Sequence, residues 1–453
     1  MNALDAITSP LAFKILGLAI AALVLLSLAG SLVGSLLRSR RAARRARHEL
    51  EEFRARIELA RAAAEKQREQ AALSWQGYRK FEVRRRQVEN LCGDICSFYL
   101  YPHDRRPLPE FLPGQFLTFR LDVPGQRKPI TRCYSLSAAY EREFYRVSIK
   151  RIAGRTVDGH EQPPGVASNF FHDHVKEGDI LDVKAPAGKF VLDVHRGYPV
   201  VLIGGGVGIT PVLSMFETLA RAQPNRPALL FYGVRSSDEV VLGSHLVELA
   251  QGSAGRKVFF CYSKPNERDQ GYIARTQQAV QAAIQGAAPW PEVYHLGSRV
   301  TGDLVKGFLP GESAVDTHHF YICGPGPMLL SLTSSLQEWG VPEGHVHYEA
   351  FGPSTVKRAA KTSQRMPVQS FQVSFSRSGK TAVWTPESES LLDLAEQEGV
   401  DVDSGCRAGD CHSCKVAIKS GEVSYLKDPP EAPEAGSALL CVAVPKGDLV
   451  IDA

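Results

Sequence analysis

The chain has 453 residues, 44% of them hydrophobic and 23% charged, with a formal net charge of +4. That balance describes a globular protein with room for about three domains plus extensions, and no long internal repeat or low-complexity tract interrupts it. The near-neutral charge, with no basic–aromatic motif, gives no case for nucleic acid, and nine cysteines, an odd number, do not form a disulfide set.

The N-terminus differs from the rest. Ile15 to Leu37 is a 23-residue stretch without a charge. At about 1.5 Å per residue it reaches ~35 Å, enough for a hydrocarbon core of about 30 Å. Arg38, Arg40, Arg41, Arg44, Arg45 and Arg47 follow at once. Basic flanks mark the cytoplasmic side. The expectation is a single-pass inner-membrane protein, N-terminus outside and the remaining domains in the cytoplasm, with residues 1–37 as the anchor. A cleaved signal peptide is the rival; its positive charges would precede the apolar run, and that run would be shorter. Gly30-x-x-x-Gly34 is a candidate seam for a dimer through the anchor, although such pairs are common in apolar helices. Residues 38–74 are rich in Ala, Arg and Glu, with no Gly or Pro from Arg38 to Leu73, so a basic helix is expected. Leu50, Phe53, Ile57 and Ala60 draw a thin apolar stripe along it. The stripe suits a stalk or a short coiled coil, and the arginines suit an anionic lipid surface.

Trp75 opens the next segment, expected over 75–193. Pro113-Gly114-Gln115-Phe116 precedes Thr131-Arg132-Cys133-Tyr134-Ser135-Leu136-Ser137, and an alternating strand carries Val147, Ile149 and Lys150. Gly165-Val166-Ala167-Ser168-Asn169 then opens a helix whose start offers free N–H groups to a phosphate. Arg132-x-Tyr134-Ser135 matches the R-x-Y-S signature of the ferredoxin–NADP reductase superfamily, and the segment resembles that family's antiparallel flavin barrel. The resemblance implies that Arg132 neutralises a pyrophosphate, Tyr134 lies against the isoalloxazine and Ser135 bonds a flavin nitrogen. The stretch from Gly165 to Ser168, continued by LDVKAPAGKFVLD, looks most like the reductase half of flavohaemoglobins and favours FAD. Reductases of the same domain order, such as phthalate dioxygenase reductase, hold FMN, which keeps FMN as the alternative.

The third segment is expected over 194–351 as an α/β domain with a parallel sheet. PVVLIGGGVGITPVLSMFETL reads as a buried strand, a glycine turn and a helix. Gly205, Gly206 and Gly208 permit close backbone approach to a dinucleotide, and Thr210 and Pro211 sit at the helix start. An ordinary glycine-rich turn would look the same in isolation. HFYICGPGPMLLSL resembles the superfamily's C-G-P-x-x-M element. The likeness implies Cys323 where nicotinamide meets flavin, Gly324 and Pro325 in the turn, and Met328 beneath it. HVHYEAFGP resembles the closing element, with Glu349 near Cys323 and Phe351 near the flavin ring. A buried structural thiol is the competing reading of Cys323. Arg235 and Asp238, with Lys264 and Arg268 beyond, place both charges near the expected adenosine ribose, so NADH and NADPH both stay open, with a lean towards NADH.

A polar, basic linker is expected over 352–367, able to tether a mobile domain or to join a docked one. Residues 368–453 carry Cys406, Cys411, Cys414 and, after 26 further residues, Cys441. C-x4-C-x2-C with one distant cysteine is plant-type [2Fe–2S] spacing. Gly405 and Gly409 let the loop turn tightly and bring backbone N–H groups to the sulfurs. A four-thiolate zinc site is the alternative, although only Cys411 and Cys414 have its usual pair spacing. SFQVSFSRSGKTAVW alternates as a hairpin with Ser378-Gly379 at its turn, and Leu391, Leu392 and Ala395 have helical spacing. The segment resembles an α+β, β-grasp plant-type ferredoxin, with His412 where a small residue is usual, either solvated or bonded to the cluster. From Pro367 onward seven Lys/Arg face fourteen Asp/Glu, which suits docking on a basic surface.

The order of segments resembles the reductase component of multicomponent oxygenases. The resemblance implies hydride from NAD(P)H to the flavin, single electrons to the cluster, and an electron-accepting oxygenase, hydroxylase or desaturase. Two other readings stay open: an electron-entry subunit of a membrane NADH:quinone-type complex, and a membrane-tethered carrier scaffold without catalysis.

Overall fold

The computed structural model describes residues 10–453 apart from 158, 159, 163, 252, 254, 312, 313, 351–369, 408, 410, 427, 428, 430 and 431. Two units emerge, Met1–Ala72 and Leu73–Ala453. In the first, one helix, α1 (Pro10–Leu73), runs on through the Leu37/Arg38 junction where the sequence suggested a boundary. Nothing there breaks a helix, since no Gly or Pro occurs from Arg38 to Leu73. Its Gly17–Leu37 stretch, of mean hydropathy 2.3, is long and apolar enough to cross a membrane, and none of it is buried.

The second unit begins with an antiparallel sheet. Its strands are β1 (Arg79–Val88), β2 (Ile95–Pro102), β3 (Phe116–Leu121), β4 (Ile130–Ser135), β5 (Tyr145–Lys150) and, after the small ribbon β6 (Arg155–Val157) and β7 (His160–Gln162) and helix α2 (Val166–Asp173), β8 (Ile180–Val183). The order is β4-β3-β8-β1-β2-β5. A bridge between Leu136 and Val147 ties the chain after β4 to β5. Alternate residues such as Phe81 and Val83 turn inward, where they meet Phe98, Phe119 and Phe171. Phe171 of α2 fills the centre, its ring 5.1 Å from Phe98 and 5.3 Å from Phe119. Trp75 packs on Phe81 and donates Nε1–H to the Val183 carbonyl at 3.0 Å.

A parallel sheet follows. It is built from β9 (Val200–Gly205), α3 (Ile209–Ala222), β10 (Ala228–Val234), α4 (Gly243–Gln251), β11 (Arg256–Tyr262), α5 (Glu267–Ile284) and β12 (Val293–Leu296). It continues through α6 (Gly302–Gly307), α7 (Ala314–Thr317), β13 (His319–Gly324), α8 (Gly326–Glu338) and β14 (Val346–Ala350). The order β12-β11-β10-β9-β13-β14 reverses between β9 and β13. Both faces are covered: Leu202, Leu230 and Phe260 belong to one core, Ile203, Phe231 and Phe259 to the other. Strands buried on both sides need near-continuous apolar runs, which VVLI and KVFFCY supply.

The last part has β15 (Phe371–Phe375), β16 (Lys380–Trp384), α9 (Leu391–Gln397), β17 (Lys415–Ser420), β18 (Val423–Tyr425), β19 (Ser437–Leu439), β20 (Ala443–Pro445) and β21 (Leu449–Ile451). Five strands form a mixed sheet, β16-β15-β21-β17-β19. The expected hairpin is present with a longer turn, Ser376 to Gly379, whose last residue takes φ +68°. Ser390 and Asp393 cap α9 reciprocally, and Leu391, Leu392, Leu394 and Ala395 are buried.

A buried carboxylate joins the first two sheets. Glu217 on α3 meets Arg146 of β5 at 2.7 Å, accepts from the Ala139 N–H at 2.8 Å, and lies 3.0 Å from His245 Nε2 of α4. Its side chain is 2% exposed and that of Arg146 8%. Burial alone would raise its pKa, but the His245 ring, the Arg146 guanidinium and the Ala139 N–H outweigh it and hold the carboxyl below its usual range. Glu217→Ala strands the arginine, and a loss of about 3–5 kcal/mol is expected in denaturant unfolding. The pH dependence has a definite sign. The carboxylate's share is complete above about pH 4.3, the ordinary glutamate value, and is lost as pH falls through the lower folded value. Acid-unfolding profiles of the wild type and Glu217→Gln should therefore converge at low pH; profiles that stay parallel would refute the assignment.

Candidate functional site

The carboxyl ends of β9 and β13 flank the point where strand order reverses, the place where open α/β sheets form a ligand crevice. Both glycine elements predicted from the sequence meet there. A Cβ on Gly208 would stand 2.4 Å from the Cys323 carbonyl oxygen. One on Gly205 would stand 2.8 Å from Met328 Sδ and 2.9 Å from Pro325 Cδ, and one on Gly324 would stand 2.5 Å from Met328 Cε. The two turns are thus locked together by missing side chains. Gly206, at φ +57°, has nothing within 4 Å of its Cβ position, so the backbone there is open to a ligand. Thr210 is buried, its hydroxyl donating to the Val207 carbonyl at 3.0 Å, and Pro211 sits in the first turn of α3. Gly206–Gly208 lies against β5 of the antiparallel sheet, which brings the crevice to that sheet.

Cys323 is fully buried and faces Gly204 on one side and Glu349 on the other in strand register. Burial, with Glu349 adding to it, pushes the thiol pKa well up. Such a thiol stays protonated at neutral pH and is no nucleophile. Phe351 lies outside the described residues. Of the residues expected near the adenosine ribose, Arg235 is ion-paired with Glu239, and Arg268 reaches Asp238 at 3.4 Å. Two of the cations considered for a 2′-phosphate already have carboxylates.

On the antiparallel sheet, β4 presents Arg132, Tyr134 and Ser135. Tyr134 packs edge-on against Phe119 and Phe171, at 5.8 and 5.3 Å, and burial pushes its phenol pKa up. Ser135 Oγ is buried with no hydrogen-bond partner. A buried hydroxyl left without a partner is costly unless a ligand supplies one. That orphan fits a flavin bound at this strand. Arg132 donates to the Thr131 carbonyl at 2.7 Å and to the Ser404 carbonyl at 3.3 Å. Val147 and Ile149 point into the core, leaving only their backbone for a ligand, and Lys150 pairs with Asp94 at 3.2 Å. Helix α2 starts at Val166 with Gly165 as its N-cap, two residues earlier than Ser168. Ala167 and Ser168 are buried; the Ser168 hydroxyl donates to the Gly165 carbonyl at 3.2 Å and accepts from Ile152 N–H at 3.3 Å. It shapes the turn, and the phosphate-facing groups left are the first backbone N–H groups of α2.

The four predicted cysteines form two pairs, and among the described residues no group of three or more ligands is assembled. Cys414 Sγ lies 3.1 Å from Cys441 Sγ, and Cys406 and Cys411 exchange N–H···S bonds of 3.3 Å. A Cβ on Gly405 would stand 2.9 Å from Cys411 Sγ, so only glycine lets the loop close on its sulfurs. Positive φ at Arg407, Gly409 and His412 bends the loop further. His412 is half-buried. Thiolates paired this way, with backbone N–H groups on the sulfurs, suit an iron–sulfur cluster.

The cysteine loop rests on β4 and its neighbours. Besides Arg132 to Ser404, Lys184 Nζ reaches the Cys411 carbonyl at 3.5 Å and Lys128 pairs with Asp401 at 2.8 Å. Sequence reasoning foresaw an acidic domain docking on basic residues but not these partners, nor Glu217. No local pattern marks a residue whose role is set by a distant segment. Cys133, which lies against Cys411, was visible only as the variable position of R-x-Y-S.

Comparison with known proteins gives three matches in chain order: the oxidoreductase FAD-binding domain family over residues 83–192, the oxidoreductase NAD-binding domain family over 202–333, and the 2Fe-2S iron-sulfur cluster binding domain family over 375–446. A flavohemoprotein from Halalkalibacterium halodurans is 34% identical over 63% of this chain; the chain spans 62% of that relative's length. The flavohem-like FAD/NAD-binding domain of a Vibrio cholerae nitric oxide dioxygenase is 30% identical over 61% of this chain and all of its own, with a TM-score of 0.48. Phthalate dioxygenase reductase, described as a modular structure for electron transfer from pyridine nucleotides to [2Fe–2S], is 27% identical over 83% of this chain and 98% of its own, with a TM-score of 0.49. The chain thus carries, in order, FAD-binding and NAD-binding oxidoreductase domains of the ferredoxin–NADP reductase family and a C-terminal [2Fe–2S] domain.

Proposed function

We propose that this reductase is membrane-anchored and delivers electrons from NAD(P)H, through FAD and one [2Fe–2S] cluster, to a partner oxygenase, hydroxylase or desaturase. The observation that carries the reading is the placement of the cysteine loop on the strand that bears Arg132, Tyr134 and Ser135. Transfer between two centres needs them close, and here their proposed binding residues share one junction. When bound, FAD supplies the conversion from two-electron to one-electron chemistry and the cluster supplies single-electron carriage.

The residues have distinct parts in this reading. Gly206 leaves room for the dinucleotide, Gly205, Gly208 and Gly324 let the two turns that would cradle it close on each other, and the start of α3 with Thr210 and Pro211 directs backbone N–H groups at its phosphates. Pro325 and Met328 hold Gly205 and Gly324 in place. Cys323 stays neutral beside the reacting carbon and Glu349 orients the end of β13, so no acid–base pair is required. Arg132 divides its donors between a flavin phosphate and the cysteine loop. Tyr134 walls the flavin, Ser135 donates to it, and the backbone of Val147, Ile149 and Lys150 and of Gly165 to Ser168 lines the rest, with Phe351 covering the ring. Cys406, Cys411, Cys414 and Cys441 are the cluster ligands. Domain limits of 75–193, 194–351 and 368–453 go with this assignment. The run of arginines after Leu37 supports a cytoplasmic position for these domains, with α1 as the anchor.

Three results would test it. Cys406→Ala should abolish the [2Fe–2S] absorbance and reduction of one-electron protein acceptors, while NADH still bleaches the flavin; a flavin that no longer bleaches would refute the modular scheme. Ser135→Ala removes an orphan hydroxyl, so flavin-free protein should lose no stability, whereas the flavin dissociation constant should rise roughly tenfold, the worth of about one hydrogen bond. Equal flavin affinity would remove Ser135 from the site. Because Arg235 and Arg268 are already paired, NADH should reduce the flavin at lower concentration than NADPH, and Glu239→Gln, which releases Arg235, should narrow that gap. A preference for NADPH in the wild type would reverse the assignment.

A further inference from the structure

Residues 38–73 continue α1 beyond its apolar span, and 17 of these 36 residues are charged. The charges are not spread evenly round the helix. Steps of alternately three and four residues from Leu36 to Ala71 pick out Leu, Ser, Ala, Ala, Leu, Phe, Ile, Ala, Ala, Gln and Ala, and none of the 17 charges. One flank of this seam is arginine at every seventh residue: Arg40, Arg47, Arg54, Arg61 and Arg68. Glu51, Glu58 and Glu65 follow the middle three at i+4, a spacing that lets each arginine meet a carboxylate of its own helix. A seam that recurs every 3.5 residues on average, bordered by charge at seven-residue intervals, is the pattern of supercoiled helices. Its largest side chains are uncovered: Leu50 is 48%, Phe53 59% and Ile57 37% exposed. The polar Ser39 is satisfied within its own helix, its hydroxyl donating to the Ser35 and Leu36 carbonyls at 3.0 and 3.2 Å.

We propose that this seam is covered by the same seam of a second copy of the chain, in a parallel two-stranded coiled coil that follows the membrane span. The parallel sense rests on the membrane-anchored reading, since two anchors inserted the same way start their helices from the same side. Ile57 occupies a position where a β-branched side chain favours two strands, and the alanines let the helices approach closely. In parallel register Glu49 faces Arg54 of the second copy. Arg56 faces Arg61, a like-charge pair, but Glu52 and Glu65 stand one turn from them on their own helices. A membrane surface fits the seam less well. A helix lying on lipid presents an apolar face of about 100° or more, and an alternating three–four seam is narrower. Pairing brings two reductase units to one membrane site, which doubles the electron donors within reach of an acceptor.

The test uses the full cofactor-loaded chain in detergent, with its mass read by light scattering. The wild type should be a dimer. Ile57→Glu puts a charge on the seam of both copies and should raise the dimer dissociation constant about a hundredfold, whereas Ala55→Glu, on the outer face, should change it little. NADH should bleach the flavin equally in both variants, which shows that they fold. For the register, Ala60→Cys and Ala62→Cys are made in a Cys92→Ala background and oxidised mildly. Ala60→Cys, on the seam, should give a disulfide-linked dimer, and Ala62→Cys, on the outer face, should not. A monomeric wild type, a trimeric mass, a dimer that survives Ile57→Glu, or equal cross-linking at the two positions would overturn the proposal. A dimer lost in Gly30→Leu but kept in Ile57→Glu would place the contact in the apolar span and overturn it equally. Release of the protein from membranes by alkaline carbonate would strike the anchored reading alone; the mass and the cross-link at position 60 would still decide the seam.

Discussion

Electrons must cross from one sheet to the next, so the relative placement of the sheets is the constraint on which everything else depends. Between the antiparallel and parallel sheets that placement rests on Glu217. Its carboxylate, on the first helix after the glycine turn, gathers Arg146, the Ala139 N–H and His245. Ser214, one turn earlier on the same helix, donates to the Ala138 carbonyl at 2.7 Å. Helix α3 therefore does two jobs with two ends. Its start shapes the dinucleotide turn, and its body is bonded to the segment that follows Tyr134 and Ser135. A dinucleotide placed by the first is placed relative to a flavin by the second. The buried pair costs much to desolvate, and its value lies in fixing one arrangement rather than in stability as such.

The glycines illustrate the same economy on a smaller scale. Gly205 and Gly208 were expected to admit a ligand, and the structure gives them a prior task, since their missing side chains let the β9 and β13 turns close on each other. Gly206, at positive φ and facing open space, is the one whose Cα remains available to a ligand. Three residues that look alike in sequence thus divide into two that pack turns and one that opens the crevice.

What the sequence made legible is what short segments encode. The cysteine spacing, the glycine turns and the R-x-Y-S strand lie where they were expected, because each is set by neighbours a few residues away. Helix α1 shows what composition leaves open: the apolar anchor and the basic segment expected as helix after it are one continuous helix, since no residue at Arg38 breaks it. The alternating strand of Val147 and Ile149 shows another limit: both side chains lie in the core, and alternation alone does not say which face of a strand the protein fills. Arg132 was read as a phosphate ligand, and its bond to Ser404, 272 residues away, depends on a docking that no local pattern records.

The two junctions differ in kind. The first is buried and multiply bonded. The second, between β4 and the cysteine loop, is held by an exposed Lys128–Asp401 pair and by two long bonds to carbonyls, 3.3 and 3.5 Å. Exposed pairs of this type contribute little and are screened by salt. A hydride donor and its flavin need a fixed geometry, because hydride moves only between atoms in contact. A one-electron carrier has a different need: it must meet its source and then its acceptor. A junction held by such bonds adds little to the stability of the docked arrangement. Of the three cations at this junction only Lys128 meets an acidic side chain, Asp401, while Arg132 and Lys184 bond carbonyl oxygens. The first junction, with its buried carboxylate, holds one geometry; the second rests on fewer and more exposed bonds.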